Sequence, residues 1–512
     1  MKDFPFLGIL TLLPLVGAIV VALIPRRNSE LAKRVALIWS LAVLVLSIVM
    51  WIAFKVGGDR FQFRESYAWI PSWDARFTFA ADGIALVMLM LIAVLTPVVI
   101  LASWHDVDQE QRSAPVYFAL LLAFEFTMIG VFAAADIFLF YVFFEVMLIP
   151  MYFIIGSFGG ARRQYAAVKF FLYSLVGGLF MLAAVIGLWV VGGHTFDFTK
   201  LTQAAHAIDP NTARWLFLGF FVAFAIKAPF FPFHTWLPDA GGAAPAGAAA
   251  LLVGVMDKVG TFGILRYCLP LFPEASRWFA PAALVLAVIG IIYAALLAVG
   301  QNDLKRLVSY TSIAHFGFIG IGIFAFTTQA GTGAVLYMVN HGLATGLLFI
   351  VVGMYVARRK SNLVSDFGGA GKLTPVLAGV LLFAGLASLA LPGTAPFISE
   401  FLVLIGTFTV HKAYAVVATA GIILAAAYVL WMVQRTTQGT LNPALEEIPA
   451  MRKDITLREK VVVAPLILLL ILLGFYPKPV TDVINPAVQA TMQDVGTQDP
   501  GPTAVTANGG AR

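Results

Sequence analysis

Apolar runs of about 20 residues recur along almost the whole chain, and nothing else in it constrains the fold as tightly. Each run is long enough to cross a hydrocarbon core of roughly 30 Å as an α-helix. Backbone N–H and C=O groups in that medium must be satisfied internally, so a spanning segment is either a helix or part of a closed barrel. Barrel strands would alternate apolar and polar residues over roughly ten positions. These runs are instead continuous and rich in Leu, Ala and Phe. Only 12% of residues are charged and 60% are hydrophobic, where soluble domains carry roughly 25% charge. Mean hydropathy is +0.91. The expected fold is an all-α polytopic membrane protein with about 14 transmembrane helices.

The expected spans lie near 5–24, 34–55, 83–104, 114–134, 137–157, 165–191, 212–230, 244–268, 278–299, 304–326, 331–356, 374–408, 413–434 and 457–476. A polar, aromatic stretch from Gly57 to Phe77 reads as loop, and the Gly-, Pro-, Thr- and Gln-rich tail from Asn485 to Arg512 reads as disordered. Leu7 to Ile24 is followed by Arg26 and Arg27 with no small-residue cleavage site, so it reads as a first transmembrane helix and not a signal peptide. Basic residues gather after odd-numbered spans: Arg26, Arg27, Lys33 and Arg34, then Arg162 and Arg163, Lys305 and Arg306, Arg358 to Lys360, and Arg452 to Lys460. Short basic loops stay in the cytoplasm, so both termini are expected outside. The single cysteine, Cys268, excludes an intrachain disulfide and a cysteine-built metal or iron–sulfur site. No Walker loop, dinucleotide-binding glycine motif or metal-ligand cluster is visible, and the net charge of +6 comes from loop residues without a nucleic-acid patch.

Against this apolar background a few ionisable residues stand inside spans. A lysine at membrane depth costs roughly 2.5–3.5 kcal/mol on insertion scales. Lys227 sits late in the run from Trp215, directly before Ala228-Pro229-Phe230-Phe231-Pro232, where the prolines break the helix. Glu145 follows Phe143-Phe144 with no lysine one turn away, so its neutralising partner comes from another helix or it is protonated. Lys258 follows Asp257, but helix neighbours point roughly 100° apart and need not pair. Glu400 lies beside a second break, Leu391-Pro392-Gly393-Thr394-Ala395-Pro396. His234, His315 and His341 also fall inside spans, where a neutral imidazole both donates and accepts and can pass a proton on. Each of these has a plainer reading: a protonated Glu145 on a backbone carbonyl, a structural Asp257–Lys258 pair, satisfied core histidines. Glu125 is a second-rank proton candidate, and Asp82 and Asp136 read as helix caps. Broken helices with buried charge mark ion pathways in membrane proteins. The two breaks lie in spans seven and twelve, five spans apart, and two five-helix units so placed would be related by inversion. The corresponding segments are 1–112 (three N-terminal helices), 113–270 and 271–436 (the two units), 437–484 (a cytoplasmic loop and last helix) and 485–512 (the tail).

Three stretches carry a resemblance: Phe143 to Tyr152, Lys227-Ala228-Pro229 with Pro232-Phe233-His234-Thr235-Trp236-Leu237-Pro238-Asp239-Ala240, and Asp303 to His315. The chain resembles the antiporter-like membrane subunits of respiratory complex I over nearly all its length. Gly393-Thr394-Ala395-Pro396-Phe397-Ile398-Ser399-Glu400-Phe401 is similar to the M type, which is related to mitochondrial subunit 4, because Glu400 stands where the L and N types have lysine. The resemblance implies 14 helices in two inverted units and a non-redox, proton-translocating role in NADH:quinone oxidoreductase. It implies that Glu145 and Lys227 form the family's pair, that Lys258 is the central lysine, that His315 and His341 lie on the polar axis, and that Glu400 stands at the exit side, with His234 and Asp257 as second-rank sites. Asp257 departs from the apolar residue expected there. NADH, FMN, iron–sulfur clusters and quinone would reside in partner subunits, with no cofactor in this chain. L- and N-type subunits would be neighbours. The Ala-, Gly- and Arg-rich composition without a transit peptide points to a bacterial plasma membrane. The same fold also serves subunits of multi-subunit cation/proton antiporters, which is the alternative reading.

Overall fold

A computed structural model describes residues 4–107 and 113–499. Helix dominates it. The first helices are α1 (Phe6–Ala22), α2 (Ser29–Ala53), α3 (Gly83–Ala102), α4 (Ala114–Ala133), α5 (Ile137–Val146), α6 (Leu148–Phe158) and α7 (Arg163–Val191). Then come α8 (Phe198–Ala204), α9 (Pro210–Lys227), α10 (Trp236–Ala243), α11 (Ala246–Leu251), α12 (Lys258–Gly263), α13 (Leu269–Leu271), α14 (Pro273–Val299), α15 (Leu304–Phe324) and α16 (Thr328–Arg359). The chain ends with α17 (Pro375–Ser388), α18 (Ala395–Phe408), α19 (Lys412–Thr437), α20 (Pro443–Glu446), α21 (Leu457–Phe475) and α22 (Lys478–Val495). Among the described residues, ten helical segments are long and apolar enough to cross a membrane, or eleven if the bent pair α21–α22 counts as one span. α1, α17 and α18 are shorter apolar helices.

Two expectations fail at the polar ends. The stretch expected to be loop holds an antiparallel hairpin, β1 (Gln62–Ile70) with β2 (Ala75–Ala81), turning at Pro71-Ser72-Trp73-Asp74. Its alternation is masked by aromatics on both faces, and Asp74 at φ 52° makes the tight turn. The tail expected to be disordered from Asn485 is helical to Val495, and the expectation for 500–512 lies outside the described residues. α22 turns 69° from α21. It buries Val483, Ile484, Ala487, Val488, Met492 and Val495, a helical stripe that composition alone conceals. It lies across the starts of three helices: Val483 meets Gly83 of α3, Asn485 accepts from Thr332 of α16 at 2.7 Å, and Arg277 of α14 donates to Val495 O at 2.5 Å.

Proline and glycine placement decides where the long helices depart from regularity. α9 ends at Lys227, ahead of Pro229, earlier than the expected boundary. α5 and α6 form one span with a kink at Met147, because Pro150 cannot donate to Val146 O. α17 and α18 are separated by Leu389–Thr394, where Ala390 (φ 61°) and Gly393 (φ 94°) turn the chain. The segment from α11 to α13 winds through two π-helical stretches, Leu252–Met256 and Ile264–Cys268, on either side of α12. Such π-segments shift side chains off their regular helical bearings.

Gly260 sets the closest approach in the molecule's centre. A Cβ there would stand 2.4 Å from Phe224 O and 2.5 Å from Ala228 N. α12 therefore rests directly on the backbone end of α9. Gly260→Ala is expected to destabilise by about 1–3 kcal/mol, the cost of overpacking. Gly379→Ala, where nothing lies within 4 Å, is expected to be neutral or slightly stabilising. Thermal unfolding of the purified protein compares the two, and equal behaviour would show that the α9–α12 contact yields easily.

Candidate functional site

The site is built on four helices whose polar residues share one interior line. Asp257 is the junction residue between a π-stretch and α12. Asp257 Oδ1 meets Lys258 Nζ at 3.0 Å. The expectation that these two need not pair is thus corrected. Both side chains are fully buried. Lys258 Nζ also contacts Val253 O and lies 2.7 Å from His341 Nδ1 of α16. Its ammonium faces the Phe316 ring of α15 at 5.1 Å.

His341 and Tyr337 are one turn apart on α16 and point the same way. His315 of α15 stands beside both, its ring centroid 5.3 Å from that of His341. His315 Nδ1 is 2.7 Å from Tyr337 Oη, and Tyr337 Oη donates to Glu400 Oε2 at 2.7 Å. Glu400 is held in line by the break before α18: Asn340 of α16 donates to Ala395 O at 2.8 Å and to Ser399 Oγ at 3.4 Å. Lys258, His341, His315 and Glu400 are therefore brought together, with Tyr337 as the link that sequence reading missed. Its spacing of four residues from His341 was the available signal.

With Lys258 as the ammonium and Glu400 as the carboxylate, one assignment of the tautomers satisfies these contacts. Lys258 has only donors, so His341 Nδ1 accepts and its Nε2 carries the proton. Tyr337 spends its hydrogen on Glu400, so His315 Nδ1 donates and its Nε2 accepts. The two Nε2 atoms, one donor and one acceptor, have no protein partner. Every donor in the series then points from Lys258 toward Glu400.

Glu145 and Lys227 sit differently. No N–O approach between them is within 4.0 Å, so they form no ion pair in this conformation. Lys227 is fully buried, Nζ makes no hydrogen bond, and it lies over the Phe144 ring at 4.6 Å. Such a desolvated cation–π contact is worth about 2 kcal/mol. Glu145 is half-buried at the α5–α6 kink and rests on Gly178 of α7, where a Cβ would stand 1.6 Å from Oε1. Of the second-rank residues, only Asp257 joins the line. Glu125 is buried in α4 facing Thr96 of α3, with neither carboxylate oxygen in a hydrogen bond. His234 stacks on Phe231 with ring centroids 5.7 Å apart. Asp82 and Asp136 cap α3 and α5, and Asp82 also binds the buried Arg266 at 2.5 Å. Asp239 of α10, quoted in the sequence motif without a role, takes Lys169 at 2.7 Å and Arg306 at 2.5 Å. Among the described residues no cluster of three His, Cys, Asp or Glu could hold a metal.

The family model for the transmembrane domain of NADH:quinone oxidoreductase and Mrp antiporters matches residues 134–425, which contain the whole line. NADH-quinone oxidoreductase subunit M of Mycobacterium tuberculosis H37Rv is 47% identical over 98% of this chain and 97% of its own. This chain belongs to the subunit M family of NADH-quinone oxidoreductase. A more distant relative is NADH-ubiquinone oxidoreductase chain 4 of Marchantia polymorpha, 36% identical over 94% of this chain and 96% of its own. A chain of respiratory complex I from Thermus thermophilus superimposes with a TM-score of 0.86 at 30% identity, covering 96% of this chain and all of that one. Membership in the subunit M family makes this a proton-translocating membrane subunit.

Tyr337→Phe removes one oxygen and leaves His315 Nδ1 and Glu400 Oε2 without their shared partner. Because about 1.4 kcal/mol corresponds to tenfold in rate, a proton-coupled turnover at least about tenfold slower is expected, with assembly intact. Proton uptake by vesicles carrying the whole oxidoreductase measures it. Parent-like uptake would make Tyr337 a packing residue.

Proposed function

We propose that this chain carries protons through the membrane arm of a NADH:quinone oxidoreductase along Lys227, Lys258, His341, His315, Tyr337 and Glu400, with Glu145 as the switch at its start. The observation that carries this reading is the directed series of donors from Lys258 to Glu400. A proton leaving Lys258 for His341 Nδ1 releases the one on Nε2. One water molecule or a ring turn carries that proton to His315 Nε2. His315 then gives its Nδ1 proton to Tyr337, and Tyr337 gives its own to Glu400. Glu400 suits the end of the series because a buried carboxyl is neutral when loaded and anionic after release.

Lys227 starts the path because it has no hydrogen-bond partner of its own. When Glu145 approaches, its charge favours protonated Lys227; when it withdraws, desolvation favours release. Gly260 lets α12 touch the backbone end of α9, the helix that ends at Lys227. Only a differential interaction between two positions of Glu145 can drive this. Redox chemistry, with NADH, FMN, iron–sulfur clusters and quinone, belongs to partner subunits, and the neighbours are L- and N-type antiporter-like subunits. The chain lies in a bacterial plasma membrane as 14 spans, 113–270 and 271–436 forming inverted five-helix units, with both termini outside. Full-length relatives named as oxidoreductase subunits favour this over a cation/proton antiporter subunit.

The deciding comparison is Glu145→Gln with Lys227→Ala and Lys227→Arg in the assembled complex. Glu145→Gln and Lys227→Ala are expected to lower pumping by about tenfold or more. Arginine keeps the charge but does not deprotonate in proteins, so Lys227→Arg is expected to fail like Lys227→Ala. Should Lys227→Arg pump as well as the parent in reconstituted vesicles, Lys227 is an electrostatic anchor and carries no proton.

A further inference from the structure

The central lysine poses a problem of hydrogen-bond capacity. A Lys258 ammonium has three N–H donors and no lone pair. All three are engaged, by Asp257 Oδ1 at 3.0 Å, by Val253 O and by His341 Nδ1 at 2.7 Å. The loaded lysine can therefore give up a proton but cannot receive one. The open acceptor at this station is the second carboxylate oxygen beside it. Asp257 Oδ2 is buried and has no hydrogen-bond partner.

We propose that Asp257 is the proton-receiving residue of the central lysine, so that protons enter this station through a carboxylate and leave it through an amine. The inference rests on the relay reading above. In the first step a proton arriving from the Lys227 side adds to a lone pair of Asp257 Oδ2, and an O–H bond forms. The carboxyl becomes neutral and its hold on the ammonium weakens. Lys258 then breaks one N–H bond and His341 Nδ1 gains the proton, leaving a neutral amine with a free lone pair. Rotation of the carboxyl brings the Asp257 proton to that lone pair, and the starting carboxylate–ammonium pair returns. One proton has entered, one has left, and the station is again neutral overall.

The surroundings fit a station that must not accumulate charge. The ionisable groups on the elements packed against this turn are Lys227 on α9, Glu125 on α4, Asp82 on α3, His315 on α15 and His341 on α16, with Arg266 further along the same segment. Arg266 is taken by Asp82, and Glu125 faces Thr96. Lys227 ends α9, whose backbone meets α12 at Gly260, and in this proposal it supplies the proton.

The test uses the intact oxidoreductase in vesicles, with Asp257→Asn, Asp257→Glu and Lys258→Ala. Infrared difference spectra recorded during turnover should contain a protonated-carboxyl band that disappears in Asp257→Asn and shifts in Asp257→Glu. Pumping should fall about tenfold or more in Asp257→Asn and recover at least half of that loss in Asp257→Glu. A permanent counter-ion never protonates, so a parent spectrum without such a band, or a band that neither variant moves, overturns the proposal. If Asp257→Asn does not assemble, the band shift in Asp257→Glu decides alone. Lys258→Ala separates the two levels: full pumping there defeats the relay itself, whereas lost pumping there with an unmoved carboxyl band defeats only the role of Asp257.

Discussion

A fully buried ammonium with all three protons engaged is the constraint around which the centre of this protein is arranged. Lys258 offsets its burial by engaging its donors, since an isolated buried charge is costly, whereas Lys227 has only aromatic faces beside it. Regular helix would send Asp257 away from it. Asp257 follows a π-helical stretch, and its carboxylate reaches the ammonium there. It also leaves Val253 O free to accept. The third donor selects the neighbour: α16 must present His341 there, and one turn along it must present Tyr337. Tyr337 in turn needs an acceptor, which the broken span supplies by starting α18 close enough for Glu400 to reach. Each irregularity in the bundle answers the polar group before it.

The two ends of the path are built on opposite terms. From Lys258 to Glu400 most polar atoms are paired, and Asp257 Oδ2, Asn340 Oδ1 and the Nε2 atoms of His315 and His341 are among those without a protein partner. At Lys227 the ammonium has an aromatic face for company, and Glu145 is held off on α7 by the absence of a side chain at Gly178. A satisfied network resists change and an unsatisfied group invites it. On the relay proposed above, this contrast assigns control to Glu145 and Lys227 and conduction to the paired end. The kink at Met147 supports this division, because a helix already lacking the Pro150 bond can shift Glu145 without breaking another.

Much of this was legible in the sequence, for a physical reason: charge inside an apolar run is costly enough that little else explains it. Glu145, Lys227, Lys258, His315, His341 and Glu400 stand out on that ground, and prolines announce both breaks. Tyr337 did not stand out, because a tyrosine in a membrane helix is ordinary until its partners are known. The Asp257–Lys258 contact was read against regular helix geometry, and no residue pattern announces a π-stretch. The hairpin and α22 were lost to composition, where aromatic and polar residues concealed a period of two and a period of 3.6 respectively. The Asp82–Arg266 and Lys169–Asp239–Arg306 pairs depend on tertiary placement that no spacing encodes.

Glycine does in this bundle what polar residues cannot. Gly260 brings two lysine-bearing segments into backbone contact, and Gly178 makes room for a carboxylate. Small residues at helix interfaces are common in membranes, where close packing replaces the hydrophobic effect as the force between helices. Here the close approaches fall beside ionisable groups, so the same contacts that hold the helices together also set the distance a proton must travel. Loosening α9 from α12 would weaken the bundle at the turn that carries the Asp257–Lys258 pair.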